Sequence, residues 1–259
     1  MKNFGTINWI GLKTFIAKDS QRFLRVPIQT LVAPWISSLL YIFIFGFVIG
    51  QKIDLIAGVR YIDFVLPGVL MMNLISSAFS QTSSQIYFER FARHIEEILT
   101  APLSHLEMIV GYVTGGVIRG VIVGLGIFVI AVFFSAANLE HFGAFLFYMI
   151  AVSVVFSLIG IIVGLWSEQC EHLTVLNVFI IMPLSFLGGV FNSVDMLPEK
   201  LQVLIQFNPF FYFIDGIRYS MIGISESNLT FGVGMILVLI VVLSLTVGYL
   251  FHKGWKLRF

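Results

Sequence analysis

The chain has 259 residues, of which 58% are hydrophobic and 11% charged, and its formal net charge is +1; its mean hydropathy is +0.98. A soluble domain carries about a quarter charged residues, so the composition excludes one and describes an integral membrane protein. The net charge itself says nothing about nucleic acid, but no basic patch is large enough to argue for it, and the lone Cys170 excludes an intrachain disulfide.

The first element in chain order is the lead-in 7–25. Lys18, Arg22 and Arg25 recur at i, i+4 and i+7, while Ile7, Ile10, Phe15, Ile16 and Phe23 supply apolar surface. This pattern predicts a basic amphipathic helix lying in the headgroup plane. The mixed polar stretch around Lys2, Lys13 and Lys18 has no short apolar core with a small-residue cleavage site, so no cleavable signal peptide is expected.

A membrane span needs about 20 mostly apolar residues. Six stretches qualify: 30–50, 64–84, 108–135, 142–166, 173–191 and 229–251. The expected fold class is an all-α membrane protein with six transmembrane helices in one domain. The second span carries a polar stripe of Asn73, Ser76, Ser77, Ser80, Gln81 and Ser84. Such a stripe either bonds another helix or lines a hydrated translocation path or dimer face. The third span has Gly111 and Gly115 four apart, as are Gly116, Gly120 and Gly124, a spacing that lets helices approach closely. Arg119 sits among them, either snorkelling or paired with a buried acid.

The loop 85–105 holds the sharpest local signal. Residues 87–100 read as one amphipathic helix with Phe91, Ile95, Ile98 and Leu99 on one side. Glu89 and Arg93 are spaced i, i+4, as are Arg93 and Glu97, and Pro102 ends the run. Glu89, Arg90, Arg93, Glu96 and Glu97 give this short helix a charged surface suited to pressing on a partner. Opposite charges on neighbouring helices predict a pair between Glu89 and Arg22 or Arg25.

The segment 192–228 is elaborate. Pro198 is placed to start a helix, with Leu197, Leu201, Leu204 and Ile205 as its apolar stripe. Asn208-Pro209 breaks it, and Phe210, Phe211, Tyr212 and Phe213 follow. The stretch 203–224 is apolar, yet Asp215 and Arg218 within it would be costly in a lipid-exposed span. It reads as a re-entrant helical hairpin on the outer side, in which Asp215 and Arg218 neutralise each other at i, i+3. Asn208, Pro209, Phe210, Phe211, Asp215 and Arg218 are the candidate outer gate; a purely structural plug is the other reading.

Charge counting orients the spans. With six of them, Lys2, Lys13, Lys18, Arg22, Arg25, Arg90, Arg93, Lys253, Lys256 and Arg258 share one side, and Lys52, Arg60, Lys200 and Arg218 the other. Positive residues favour the cytoplasm, so both termini are expected to be cytosolic. No phosphate-binding G-x-x-x-x-G-K-[ST], H-E-x-x-H or G-x-S-x-G motif occurs, and no catalytic, cofactor-binding or metal-binding residue is expected. Acids deep in the spans are nearly absent, which weakens an ion-coupled mechanism. A chain of spans and helical connections without its own chemistry points to transport powered from elsewhere. An ion-coupled secondary transporter and a non-transporting membrane scaffold are the alternatives.

In its order of features the chain resembles the type-2 ABC exporter permeases over essentially its whole length. The resemblance rests on the basic lead-in, on Glu89-Arg90 through Glu96-Glu97-Ile98-Leu99-Thr100-Ala101-Pro102 to Glu107 and Gly111, on Leu197-Pro198 followed by Asn208-Pro209, and on Asp215-Gly216-Ile217-Arg218 before the last span. His94-Ile95 departs from the family's usual small residue and threonine at that point. The resemblance implies a two-plus-two complex of two permease chains and two separate ABC ATP-binding subunits, which hold the ATP and Mg. It implies that 1–28 contains a connecting helix, with Lys18, Arg22 and Arg25, and that 85–105 carries the coupling helix. It also implies export of a lipid, glycan or drug-like substrate across the bacterial inner membrane.

Overall fold

The structure, a computed structural model, describes residues 8–50, 55–56, 58–133 and 139–257. Ile7, Lys2, Lys52, Arg258 and the end of the third expected span at Ser135 lie outside them.

Among the described residues the architecture is helical, with six helices long and apolar enough to cross a membrane. A leading helix, α1 (Trp9–Leu24), precedes the first span, Ile28–Gly46, whose middle is α2 (Ala33–Tyr41). The second span is α3 (Tyr61–Phe91), followed by the short α4 (Ile95–Thr100). The third and fourth spans are α5 (His105–Phe133) and α6 (Phe142–Trp166). The fifth span, Cys170–Leu187, joins α7 (Cys170–Leu176) to α8 (Met182–Leu187). Two non-spanning helices follow, α9 (Glu199–Gln206) and α10 (Pro209–Ile222), before the sixth span, α11 (Leu229–Lys253).

The first and fifth spans widen into π-type turns at Ile28–Val32 and Asn177–Ile181. Both of these turns end two residues before a proline, Pro34 or Pro183, whereas a third π-type stretch, Ile42–Ile49 at the end of the first span, has no such proline. A proline ring clashes with the carbonyl four residues back and donates no hydrogen bond, and a π-type turn relieves both problems without breaking the span.

α3 and α6 form the centre of the bundle, and the first, fifth and sixth spans lie at its periphery with most of their surface exposed. Close approach in the centre follows from the glycines. A side chain at Gly116 would collide with Ser157 and Thr82, and one at Gly160 with Thr82 and the backbone of Phe79. Small residues on α3, α5 and α6 therefore let three backbones meet where lipid supplies no hydrophobic drive. The main apolar core runs through Phe64, Leu70, Leu74, Val152 and Phe213. A second apolar cluster, with Phe15, Ile95, Ile98, Tyr112, Leu165 and Phe251, closes the end of the bundle that carries α4.

Candidate functional site

The α4 end is built from backbone geometry upward. The expected single helix over 87–100 is two elements. α3 runs on to Phe91, and the chain then turns through Ala92, Arg93 and His94 into α4. Arg93 sits in the left-handed region at φ 59°, which stops α3 and turns α4 away. The spacings Glu89–Arg93 and Arg93–Glu97 thus fall across a break and not along one helix face. Ile95 and Ile98 are buried in the second cluster, whereas Arg93, His94, Glu96 and Glu97 are exposed. Ala101 is extended ahead of Pro102, which ends α4 as expected.

The charged residues in the last turns of α3 point inward. Glu89 accepts a hydrogen bond from the Tyr112 hydroxyl and one from Gln85 Nε2 at 3.4 Å. Arg90 is 2% exposed and its Nη1 donates to the carbonyls of Gly164 (2.8 Å) and Ser167 (3.0 Å), closing the end of α6. Among the described residues Glu89 forms no ion pair within 4 Å with Arg22 or Arg25; the Arg22 guanidinium lies over the Phe88 ring, 5.5 Å from its centroid.

α1 is docked on α5. Phe15 occupies the space above Gly111 and meets Tyr112 edge-to-face at 4.9 Å. One turn on, the Asp19 carboxylate fills the space above Gly115. Lys18 and Arg25 are exposed and Arg22 is half-buried. Glu107 fastens the start of α1: it accepts from the backbone N–H of Asn8 (2.5 Å) and of Ser104 (2.6 Å), and Ser104 Oγ accepts from the Glu107 N–H. Asn8 in turn caps α1 by accepting from the Gly11 N–H (2.9 Å) and donates to the Pro102 carbonyl (3.2 Å). α1, the 101–104 linker and α5 are therefore tied at one point.

The polar stripe of α3 divides. Ser76 and Ser80 bond Asn177 in the fifth span, at 2.9–3.0 Å and 3.4 Å. Gln81 faces α1 and α5: its Nε2 donates to Asp19 Oδ1 (3.0 Å), and its Oε1 accepts from Arg119 Nη1 (3.2 Å). Arg119 thus reaches an acid through Gln81. Asn73 donates to its own helix at Val69, and Ser77 is buried. Burial pushes the Asp19 carboxyl up to about 7, against the opposing pull of the Gln81 hydrogen bond.

At the opposite end, Asn208 caps α10 through its Oδ1 (Phe210 N–H, 3.1 Å) and donates to the Leu184 carbonyl (2.7 Å), with Pro209 in the first turn. Phe210 and Phe211 are buried. Asp215 and Arg218 are fully buried and 3.9 Å apart, and Glu226 stands 3.8 Å from Arg218 as a second acid. Their mutual neutralisation is therefore shared among three residues. Asp215 is occupied chiefly by the loop before α11, accepting from Ser225 Oγ (3.0 Å), the Glu226 N–H (2.9 Å), and the Ser227 N–H (3.0 Å) and hydroxyl. Arg218 donates to the carbonyls of Gly189 and Phe64 and stacks 3.7 Å above the Phe64 ring. Glu226 also accepts from Ser193 and Val194. This knot joins α10, the 189–194 turn, α3 and the start of α11. Beside it, Leu184, Leu187, Leu197, Leu201, Leu204 and Phe207 line an apolar groove of about 240 Å³.

Sequence reasoning missed Asp19, Ser104–Glu107 and Glu226. The first two had signals: Leu12, Phe15, Asp19 and Phe23 share one helix face, and Ser-x-x-Glu is a capping box. Glu226 had none, because it lies in the loop before α11 and meets Arg218, Ser193 and Val194 only through the packing.

A chain of six spans with a short helix rooted between the second and third matches the ABC-2 type transporter sequence model over residues 11–222. The chain belongs to the ABC-2 type transporter family. It is 37% identical over 250 residues to the inner membrane transport permease YadH of Escherichia coli (strain K12), covering 96% of this chain and 98% of that protein. It is 24% identical over 247 residues to nodulation protein J of Rhizobium leguminosarum bv. viciae, covering 92% and 91%. As an ABC-2 permease it is a multi-pass transport subunit and not an enzyme. The family implies a separate ABC ATP-binding partner that hydrolyses ATP.

Proposed function

We propose that this ABC-2 permease is half of a homodimeric membrane core that exports a lipid, glycan or drug-like substrate across the bacterial inner membrane. Both termini face the cytosol, and two ATP-binding subunits, carrying ATP and Mg, dock at the α4 end. The observation that carries the reading is the build of α4. Ile95 and Ile98 root it in an apolar cluster shared with the second and third spans, while Arg93, His94, Glu96 and Glu97 stand outward. A push on that charged surface is passed to the spans through packed side chains, because interiors of this density transmit strain. α1, tied to the same point through Asn8 and Glu107, moves with it as the connecting helix. The inward-facing Glu89 and Arg90 hold the root of α4 and do not form the docking surface.

At the other end, the Asp215–Arg218–Glu226 knot acts as the fixed post of an outer gate, with Phe210 and Phe211 as its apolar part. The neighbouring apolar groove supports a substrate with a lipid-like portion.

The test is co-expression with an ATP-binding subunit and purification in lipid nanodiscs. Glu96→Lys with Glu97→Lys is expected to release the ATP-binding subunit or to abolish its ATPase activity in the complex. A complex that assembles and hydrolyses ATP unchanged after both reversals refutes α4 as the docking surface.

A further inference from the structure

Docking to a partner leaves the polar groups beneath α1 unexplained. Asp19 is the one acid of α1 and is 2% exposed. Its Oδ1 holds one hydrogen bond, from Gln81, and its Oδ2 has no hydrogen-bond partner among the described residues. Charged and titratable groups face it from every packed element. They are Arg22 on α1 itself, Glu89 on α3, and Tyr112 and Arg119 on α5; Lys18 is exposed and acts on Glu89. None of the cations forms an ion pair with it within 4 Å. Arg22 lies over Phe88 and Arg119 is spent on the far side of Gln81. Tyr112 gives its hydroxyl to Glu89, and Glu89 adds a like charge. A carboxylate in that position is a buried anion with a single donor, whereas a neutral acid meets the same site at far lower cost. The fit is also steric, because the absence of a side chain at Gly115 makes the room that the carboxyl occupies.

We propose that Asp19 is the positioning residue that fastens α1 to the second and third spans, and that it does so as a neutral carboxylic acid. Between about pH 4 and 7, Asp19 ionises in water when α1 lifts, so docking takes up one proton and release returns it. Burial pushes the docked carboxyl from 3.8 up to about 7. The docked value is the higher one, so docking is strongest in acid. It weakens as pH rises from about 4 to 7 and is level above that.

The lock belongs to this chain alone, so its test needs no ATP-binding subunit and is independent of how α4 docks. Hydrogen exchange of the α1 amides, measured on the full chain in nanodiscs and corrected for intrinsic exchange rate, reads the opening equilibrium of α1. Protection is expected to fall about tenfold between pH 6 and pH 8. Asp19→Asn, which stays neutral and still accepts from Gln81, is expected to keep α1 protected with no such fall. Wild-type protection that does not change with pH, or an equal fall in Asp19→Asn, overturns the proposal. Should Asp19→Asn fail to insert, Gln81→Leu decides. It removes the one donor to Asp19 among the described residues and is expected to move the midpoint of the protection curve to higher pH; an unmoved midpoint overturns the proposal as well.

Discussion

Replacing Asp215 by alanine tests whether the knot beside the groove holds that end of the molecule together. Asp215 is fully buried and accepts from two backbone N–H groups and two hydroxyls. The Ser225 hydroxyl retains the Ser227 carbonyl as a second partner, so it adapts cheaply. The N–H groups of Glu226 and Ser227 do not, and each stranded donor costs about 1–3 kcal/mol. Arg218 also loses one of two acids, although the contact is long at 3.9 Å and Glu226 remains. The expected loss is about 3–6 kcal/mol in total, a large fraction of the roughly 5–15 kcal/mol that folded proteins hold. Asp215→Asn, which keeps one acceptor oxygen, is expected to lose about half as much. The assay is equilibrium unfolding in mixed micelles, with the double variant Asp215→Ala, Arg218→Met beside each single one. Because removing both charges leaves no buried cation short of an anion, the double variant should lose about 1–3 kcal/mol less than the sum of the singles. Strict additivity, or an Asp215→Ala protein within about 1 kcal/mol of the parent, refutes the reasoning.

Three further outcomes follow from local geometry. Arg93→Gly removes the left-handed strain at φ 59° and is expected to stabilise the chain by about 1 kcal/mol, whereas Arg93→Ile destabilises it, both read in the same unfolding assay. Gly115→Leu puts a side chain where the Asp19 carboxyl sits, so α1 should lift and trypsin should cleave faster after Lys13 and Lys18, with the spans still inserted. Arg90→Met strands the Gly164 and Ser167 carbonyls at the end of α6 and is expected to cost about 2–4 kcal/mol in unfolding.

Much of the architecture was legible because lipid imposes a length. The fourth span was read as 142–166 and is Phe142–Trp166, and the sixth differs only by two residues at its end. The second span was read seven residues too short at its C-terminal end, stopping at Ser84 where α3 continues to Phe91. Its last turns carry Gln85, Glu89 and Arg90, whose polarity reads as a water-facing loop. The helix continues, with Tyr112 as a partner for Glu89 and Gly164 and Ser167 as partners for Arg90. The expected 87–100 helix breaks at Arg93, which is left-handed. Periodicity shows an apolar side and charged neighbours, but it cannot show that one residue between them is left-handed.

Sequence by itself determined the class of this protein, its six spans, the helix end before Pro102 and the break at Asn208-Pro209. These depend on hydrophobic length and on backbone rules that act over a few residues. Only the tertiary structure decided which polar groups belong together. Asp19, Gln81 and Arg119 lie far apart in the chain, and Phe64 and Gly189 lie far from the locally paired Asp215 and Arg218. A buried polar atom must find a partner wherever packing brings one, and that choice is made by the way the helices assemble and not by any window of sequence.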